Sequence, residues 1–146
     1  MCPLFGPPNI QKLKERKDTK GIIKALNDKQ LEICKNAVTA LGEIGNEEAI
    51  DALIKLLWKD FAKKDTYTIE LRATAAKALG NIPGNYYVTE SLISSLRDHS
   101  GKVRLESALA LGRIRDPRAL PKLVASLDYP QEDTNITASK VDAIFA

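Results

Sequence analysis

Few residues in this chain of 146 have the types and spacing that chemistry requires. The one histidine, His99, stands between Asp98 and Ser100, a trio of residue types used in nucleophilic hydrolysis. That mechanism needs nucleophile, base and orienting acid to converge from separate places in a fold, and three consecutive residues cannot line up so. The segment reads instead as a polar turn. The two cysteines, Cys2 and Cys34, lie far apart with no histidine near either, which makes no zinc site. Cys34 falls on an apolar face and reads as a small core residue, and Cys2 reads as exposed. No glycine-rich phosphate loop is present; Gly42, Gly80 and Gly112 are expected to close helices instead. Arg72 and Arg104 occupy equivalent places early in the first helices of their repeats. The expectation is of no catalytic residue, no cofactor and no metal.

The elements that position these residues repeat. Ala40-Leu41-Gly42, Ala78-Leu79-Gly80 and Ala110-Leu111-Gly112 recur, each with isoleucine two residues later (Ile44, Ile82, Ile114). After each glycine comes an apolar segment ending in leucine, at Leu57, Leu96 and Leu127, with an earlier copy ending at Leu26. These leucines are spaced 31, 39 and 31 apart, a period near 31 with eight residues inserted once, about residues 60–69. Self-similarity at that period signals stacked repeats. Within a repeat, Leu31, Cys34, Val38, Leu41 and Ile44 form one stripe, and Ile50, Leu53, Ile54 and Leu57 another, at three- and four-residue steps. That is helical periodicity, and each repeat has room for two helices of ordinary length.

Boundary signals agree. Gly45 followed by Asn46 ends one helix and caps the next, with Glu47 and Glu48 in its first turn. Asp116-Pro117 supplies a cap and a first-turn proline. Asp28, Thr68 and Ser100 are expected to cap the first helices of their repeats. Alanines 37, 40, 75, 76, 78, 108 and 110 crowd those first helices, so their axes are expected to approach closely. A single hairpin cannot bury both stripes, so each must stack on its neighbour.

The pattern Val103-Arg104, Ala108, Ala110-Leu111-Gly112, Ile114-Arg115-Asp116-Pro117-Arg118-Ala119 and Pro121-Lys122-Leu123-Val124 resembles the short HEAT-like repeats of phycobilin lyase subunits. The third repeat keeps Leu71-Arg72 and Ala75-Ala76, and the second puts Cys34 where the arginine would be. The resemblance covers about residues 18–127. It implies an all-α fold, a right-handed α–α superhelix (a HEAT-like α-solenoid) of about four helical hairpins plus a C-terminal helix. The expected organisation is one domain over 1–146: an N-terminal cap repeat at 9–28, repeats at 29–60, 61–98 and 99–128, and a partial repeat or cap at 129–146. The resemblance also implies that Arg72 and Arg104 pair with acidic groups to hold repeats in register, Asp98 or Asp116 being the expected partner of Arg104 in a bidentate geometry. Gly42, Gly80, Gly112, Asp116 and Pro117 join them as structural residues. A single histidine does not fit the di-iron hydroxylases built on such repeats, which need several His-Glu pairs.

Composition narrows function further. Twenty-two basic against 19 acidic residues give a net +3, too mild for a nucleic-acid partner unless clustered. No apolar run approaches the roughly 18 residues of a membrane span. Two cysteines and a start without signal-peptide character fit the cytoplasm. The leading reading is a non-enzymatic scaffold that binds another protein on the concave face of its second helices. Asp51, Lys55, Trp58, Lys59, Ser94, Arg97, Arg118, Lys122 and Ser126 are the candidate contacts. Trp58 either meets the partner or packs under the insertion with Phe61 and Tyr67. Tyr86 and Tyr87 form a second possible anchor. Two alternatives stand: an auxiliary subunit of a phycobilin lyase-type chromophore-attachment enzyme, and a nucleic-acid binder using the basic segment 9–17 with Arg113, Arg115 and Arg118.

Overall fold

The computed structural model describes residues 6–59, 64–127 and 134–146. Cys2, Phe61 and the rest of 60–63, the first part of the insertion, lie outside them. The helices are α1 (Ile10–Glu15), α2 (Thr19–Ala25), α3 (Leu31–Ile44), α4 (Glu47–Trp58), α5 (Thr66–Leu79), α6 (Tyr86–Ser95), α7 (Gly101–Ile114), α8 (Leu120–Ser126) and α9 (Thr134–Phe145). A 3-10 turn, Pro117–Ala119, leads into α8. No strand occurs among the described residues.

Helices begin where polar caps satisfy their first N–H groups. Asn9, Asp18, Asn46, Asp65 and Asn85 each accept from the backbone N–H three residues on, the N-cap bond that satisfies an otherwise orphaned donor. Asn46 and Asp116 act as expected, Asp116 opening the 3-10 turn by accepting from the Arg118 N–H at 3.0 Å. Two expected caps move. Asp65 rather than Thr68 caps α5, because an aspartate is available one turn earlier. Gln30 is the cap residue of α3, and Asp28 instead braces the preceding turn by accepting from the Gln30 N–H at 2.8 Å. Ser100 is the cap residue of α7 but makes no side-chain cap bond; Asp98 accepts from its N–H.

The repeated glycines differ more from expectation. Gly42 and Gly112 lie inside α3 and α7, and Gly80 follows α5 in right-handed conformation. Gly42 and Gly112 therefore do not stop helices, while Gly80 is the C-cap of α5 as expected, and all three let neighbouring helices touch. A Cβ at Gly42 would sit 2.9 Å from Ala78 Cβ, at Gly80 2.7 Å from Ala110 Cβ, and at Gly112 3.1 Å from Ala143 Cα. Each glycine therefore receives an alanine from the next first helix, which explains the Ala-Leu-Gly recurrence. The left-handed closing residues come three positions later, Gly45 (φ 59) and Arg115 (φ 56), their N–H groups bonding back to Leu41 and Leu111.

Thus α3, α5, α7 and α9 stack as one layer, and α2, α4 and α6 as the other, which the 3-10 turn leading into α8 continues. Alanines 37, 40, 75, 76, 78, 108 and 110 are buried, as are Cys34, Val38, Leu41, Leu53 and Leu57. The second helices run parallel, their N-termini tied side by side. Asn46 Nδ2 donates to Thr19 Oγ1 (3.0 Å), and Thr89 Oγ1 donates to Asp116 Oδ2 (3.0 Å), each pair spanning 27 residues. Helix α9 packs on α7 in the place of a further first helix. Replacing Gly80 with alanine should cost about 1–3 kcal/mol, as overpacking does, against a helix-propensity gain of at most about 1 kcal/mol. A lower urea midpoint at unchanged slope is the expected readout.

Candidate functional site

The layer of second helices carries the candidate contacts, and all of their side chains but that of Ser126 are exposed, because the opposite stripe is core. Asp51, Lys55 and Lys59 are exposed on α4 and its C-cap and line a trough of about 580 Å³ between α2 and α4. Lys20, Ile23, Leu26 and Asn27 form its α2 wall; Glu48, Ala52 and Leu56 complete the α4 side. A second cavity of about 490 Å³ adjoins it, sharing Leu26, Asn27, Leu56 and Lys59 and reaching Tyr67 and Arg72 of α5. Trp58 lies outside the trough lining and is 37% exposed. Ser94, Arg97 and Lys122 are exposed farther along the layer, whereas Ser126 is buried and donates its hydroxyl to Leu123 O.

Arg118 is exposed but engaged. Its Nε donates to Asp116 Oδ1 at 2.9 Å, Nη2 pairs with Oδ2, and its guanidinium lies 4.8 Å from the Tyr86 ring centroid. The Arg118 hydrogen bonds hold the Asp116 carboxyl well below the usual carboxylate range. Tyr86 and Tyr87 meet edge to face at 5.6 Å and are both exposed.

Beneath this surface lies a polar device that the sequence showed only in part. Arg72 is fully buried; its Nε donates to Leu57 O, the last turn of α4, at 2.9 Å, and its Nη2 pairs with Asp98 Oδ2. Asp98 Oδ1 accepts the Ser100 N–H at 2.8 Å, and His99 Nε2 lies 3.4 Å from Arg72 Nη1. The carboxylate thus serves Arg72, while Arg104 Nη1 donates to the Asp98 backbone carbonyl at 2.7 Å. Asp116, the other partner expected for Arg104, accepts from Thr89 and Arg118. Cys34, in the arginine position of its repeat, presents its thiol to the carbonyls of Leu26 (3.4 Å) and Asp28 (3.2 Å), so it is buried yet polar in its contacts. Lys140 of α9 does the same for α8, its fully buried Nζ donating to Ser126 O at 2.7 Å.

Tyr67, within the inserted stretch, is exposed along its ring, but its hydroxyl reaches back to the first repeat. Its hydroxyl donates to Asp28 O at 2.7 Å and lies 3.2 Å from Cys34 Sγ. Burial, then the Cys34 contact, push its pKa up to about 12. Among the described residues, no group of three or more His, Cys, Asp or Glu side chains could hold a metal ion. None of their helices is long and apolar enough to cross a membrane.

A HEAT-repeat family model matches residues 10–69 and 64–140. The chain belongs to the HEAT repeat family. Among curated proteins none matches the sequence significantly. Among solved structures, the complex of CpcE and CpcF of phycocyanin lyase from Nostoc sp. PCC7120 is similar, with TM-score 0.69 and 26% identity over 98% of this chain and 56% of that chain. An engineered protein (TM-score 0.56, 21% identity, 93% of this chain and 64% of that one) and a designed armadillo repeat protein (0.53, 23%, 95% and 68%) share the fold. This HEAT chain is an all-α solenoid, and it spans just over half the length of the lyase-complex chain it matches.

Two measurements check the buried chemistry. Arg72→Met strands a buried carboxylate and should cost about 3–5 kcal/mol. Arg72→Met with Asp98→Asn should cost less than the two single changes together, in a double-mutant cycle. Tyr67 is the more protonated in the folded state, so its contribution is complete below its unfolded pKa of about 10 and is lost as pH rises toward 12. Ultraviolet titration should show one late phenolate, and Tyr67→Phe should remove it.

Proposed function

We propose that this HEAT solenoid is a non-enzymatic protein-interaction module, residues 1–146 acting as one domain whose second-helix layer receives a partner protein. The observation that carries this reading is the trough on that layer, with Asp51, Lys55 and Lys59 grouped around an apolar floor. Buried side chains are committed to holding repeats together, so the chemistry available to a partner is surface chemistry: an apolar strip with charges beside it, the anatomy of an interface. Membership of a family of stacked repeats supports it, because such layers offer extended binding surfaces.

The likeness to the lyase complex supports a second reading, in which the module is an auxiliary subunit of a chromophore-attachment enzyme of phycobilin lyase type. It adds no catalytic group of its own. A nucleic-acid role has weaker support: Arg118, one of the three arginines invoked for it, is engaged by Asp116.

Affinity capture from native extract, followed by titration of the captured protein against Trp58→Ala, Lys55→Ala and Lys122→Ala, tests the proposal. At least one change should weaken binding tenfold. Affinity unmoved by all three would place the contact elsewhere, and bilin transfer with a cognate acceptor would favour the second reading.

A further inference from the structure

The trough between α2 and α4 has a polarity that specifies more than the presence of a partner. The Asn46–Thr19 bond sets the two helices parallel with their N-termini together. Along the exposed edge of α4 the charges are then sorted: Glu48 and Asp51 lie toward the N-terminal end, Lys55 and Lys59 toward the C-terminal end. Lys20, from the first turn of α2, offsets part of the acidic end and leaves the basic end as the stronger field. Between the ends runs a floor of Ile23, Leu26, Ala52 and Leu56, with the small Ala52 leaving room for an incoming side chain.

Both walls are helices whose backbone groups already bond within the helix. An extended peptide would therefore find no main-chain edge to pair with, whereas a helix arrives with its own backbone satisfied. The 12 residues of α4 extend about 18 Å, the length of roughly three turns of a docked helix. Isolated helices favour acidic residues in their first turn and basic ones in their last.

We propose that this trough takes an amphipathic helix of a partner protein, laid antiparallel to α4. Its acidic N-terminal turn meets Lys55 and Lys59, and its basic C-terminal turn meets Glu48 and Asp51. Antiparallel placement also opposes the two helix dipoles. The inference rests on the second-helix layer being the binding face, and it adds the occupant's conformation, charge and direction.

The test is selection of a phage-displayed library against the intact chain, the library mixing amphipathic helical peptides of both charge polarities with unstructured peptides. Enriched sequences should be helical, acidic at the start and basic at the end. Fluorescence anisotropy of a synthesised winner should show at least tenfold weaker binding to Lys55→Glu/Lys59→Glu. A peptide with reversed charges should bind that variant better than it binds the original chain. Ala52→Arg, which fills the floor, should abolish binding while far-ultraviolet circular dichroism remains unchanged. Enrichment of extended peptides, of helices without charge polarity, or of nothing at all overturns the proposal. Self-association of the chain that Ala52→Arg removes would make a second copy the occupant and also overturns it. A captured partner sensitive to Trp58→Ala but not to Ala52→Arg would leave the interaction-module reading standing and sink this one alone.

Discussion

Every second helix of the stack ends against the following repeat, and its last carbonyls must find donors there because water is excluded. Burying such groups unpaired costs on the order of 1–3 kcal/mol each. Equivalent positions of α3, α5 and α7 supply the donor in three of these places, and a lysine one turn farther along supplies it from α9. Cys34 reaches the end of α2, Arg72 the end of α4, Arg104 the turn after α6, and Lys140 the end of α8. A thiol, two guanidiniums and an ammonium perform one task. Arg72 has the Asp98 carboxylate to balance it, and that carboxylate also braces the entry to α7, so one ion pair ties the end of one helix to the start of another.

The second constraint is the approach of the first helices. Alanine set against glycine brings their backbones close, with each Cβ nesting where the neighbour has none. Close packing in this layer leaves the other layer to be spaced by larger side chains, Leu53, Leu57, Leu92 and Leu96 among them. That difference opens the trough between α2 and α4. The residues that build the spine and those offered to a partner are therefore separate sets: alanines, leucines and buried donors for one, and the outward positions of the second helices for the other.

Much of this is legible in the chain because it is local or periodic. The stripes, the Asn46 and Asp116 caps and the matched leucines all follow from neighbours a few residues apart. Placing Cys34 in the arginine position also follows from periodicity alone. What periodicity cannot reveal is which atom a long side chain reaches. Asp98 was one of two candidates for Arg104, yet its carboxylate turns to Arg72 across 26 residues of chain. Lys140 gave no signal, since a lysine between serine and valine reads as ordinary surface. The same holds for Tyr67, whose partners lie more than 30 residues away. Gly42 and Gly112 misled in an instructive way: a glycine near a helix end resembles a stop, as Gly80 indeed is, and only the neighbouring helix shows that these two are contacts.

The chain by itself determined the all-α class, the period, the insertion and the inward stripe of each helix, because side-chain spacing along a helix is fixed by its geometry. It also indicated which faces are free, since whatever is not stripe must be outside. The tertiary structure alone decided which free residues gather. Asp51, Lys55 and Lys59 share a trough with Lys20 and Ile23 only because α2 and α4 lie parallel. Arg118 is turned upon Asp116 and Tyr86 by contacts no spacing rule encodes. Assembly across repeats depends on distances between helices, and those arise from packing rather than from order along the backbone.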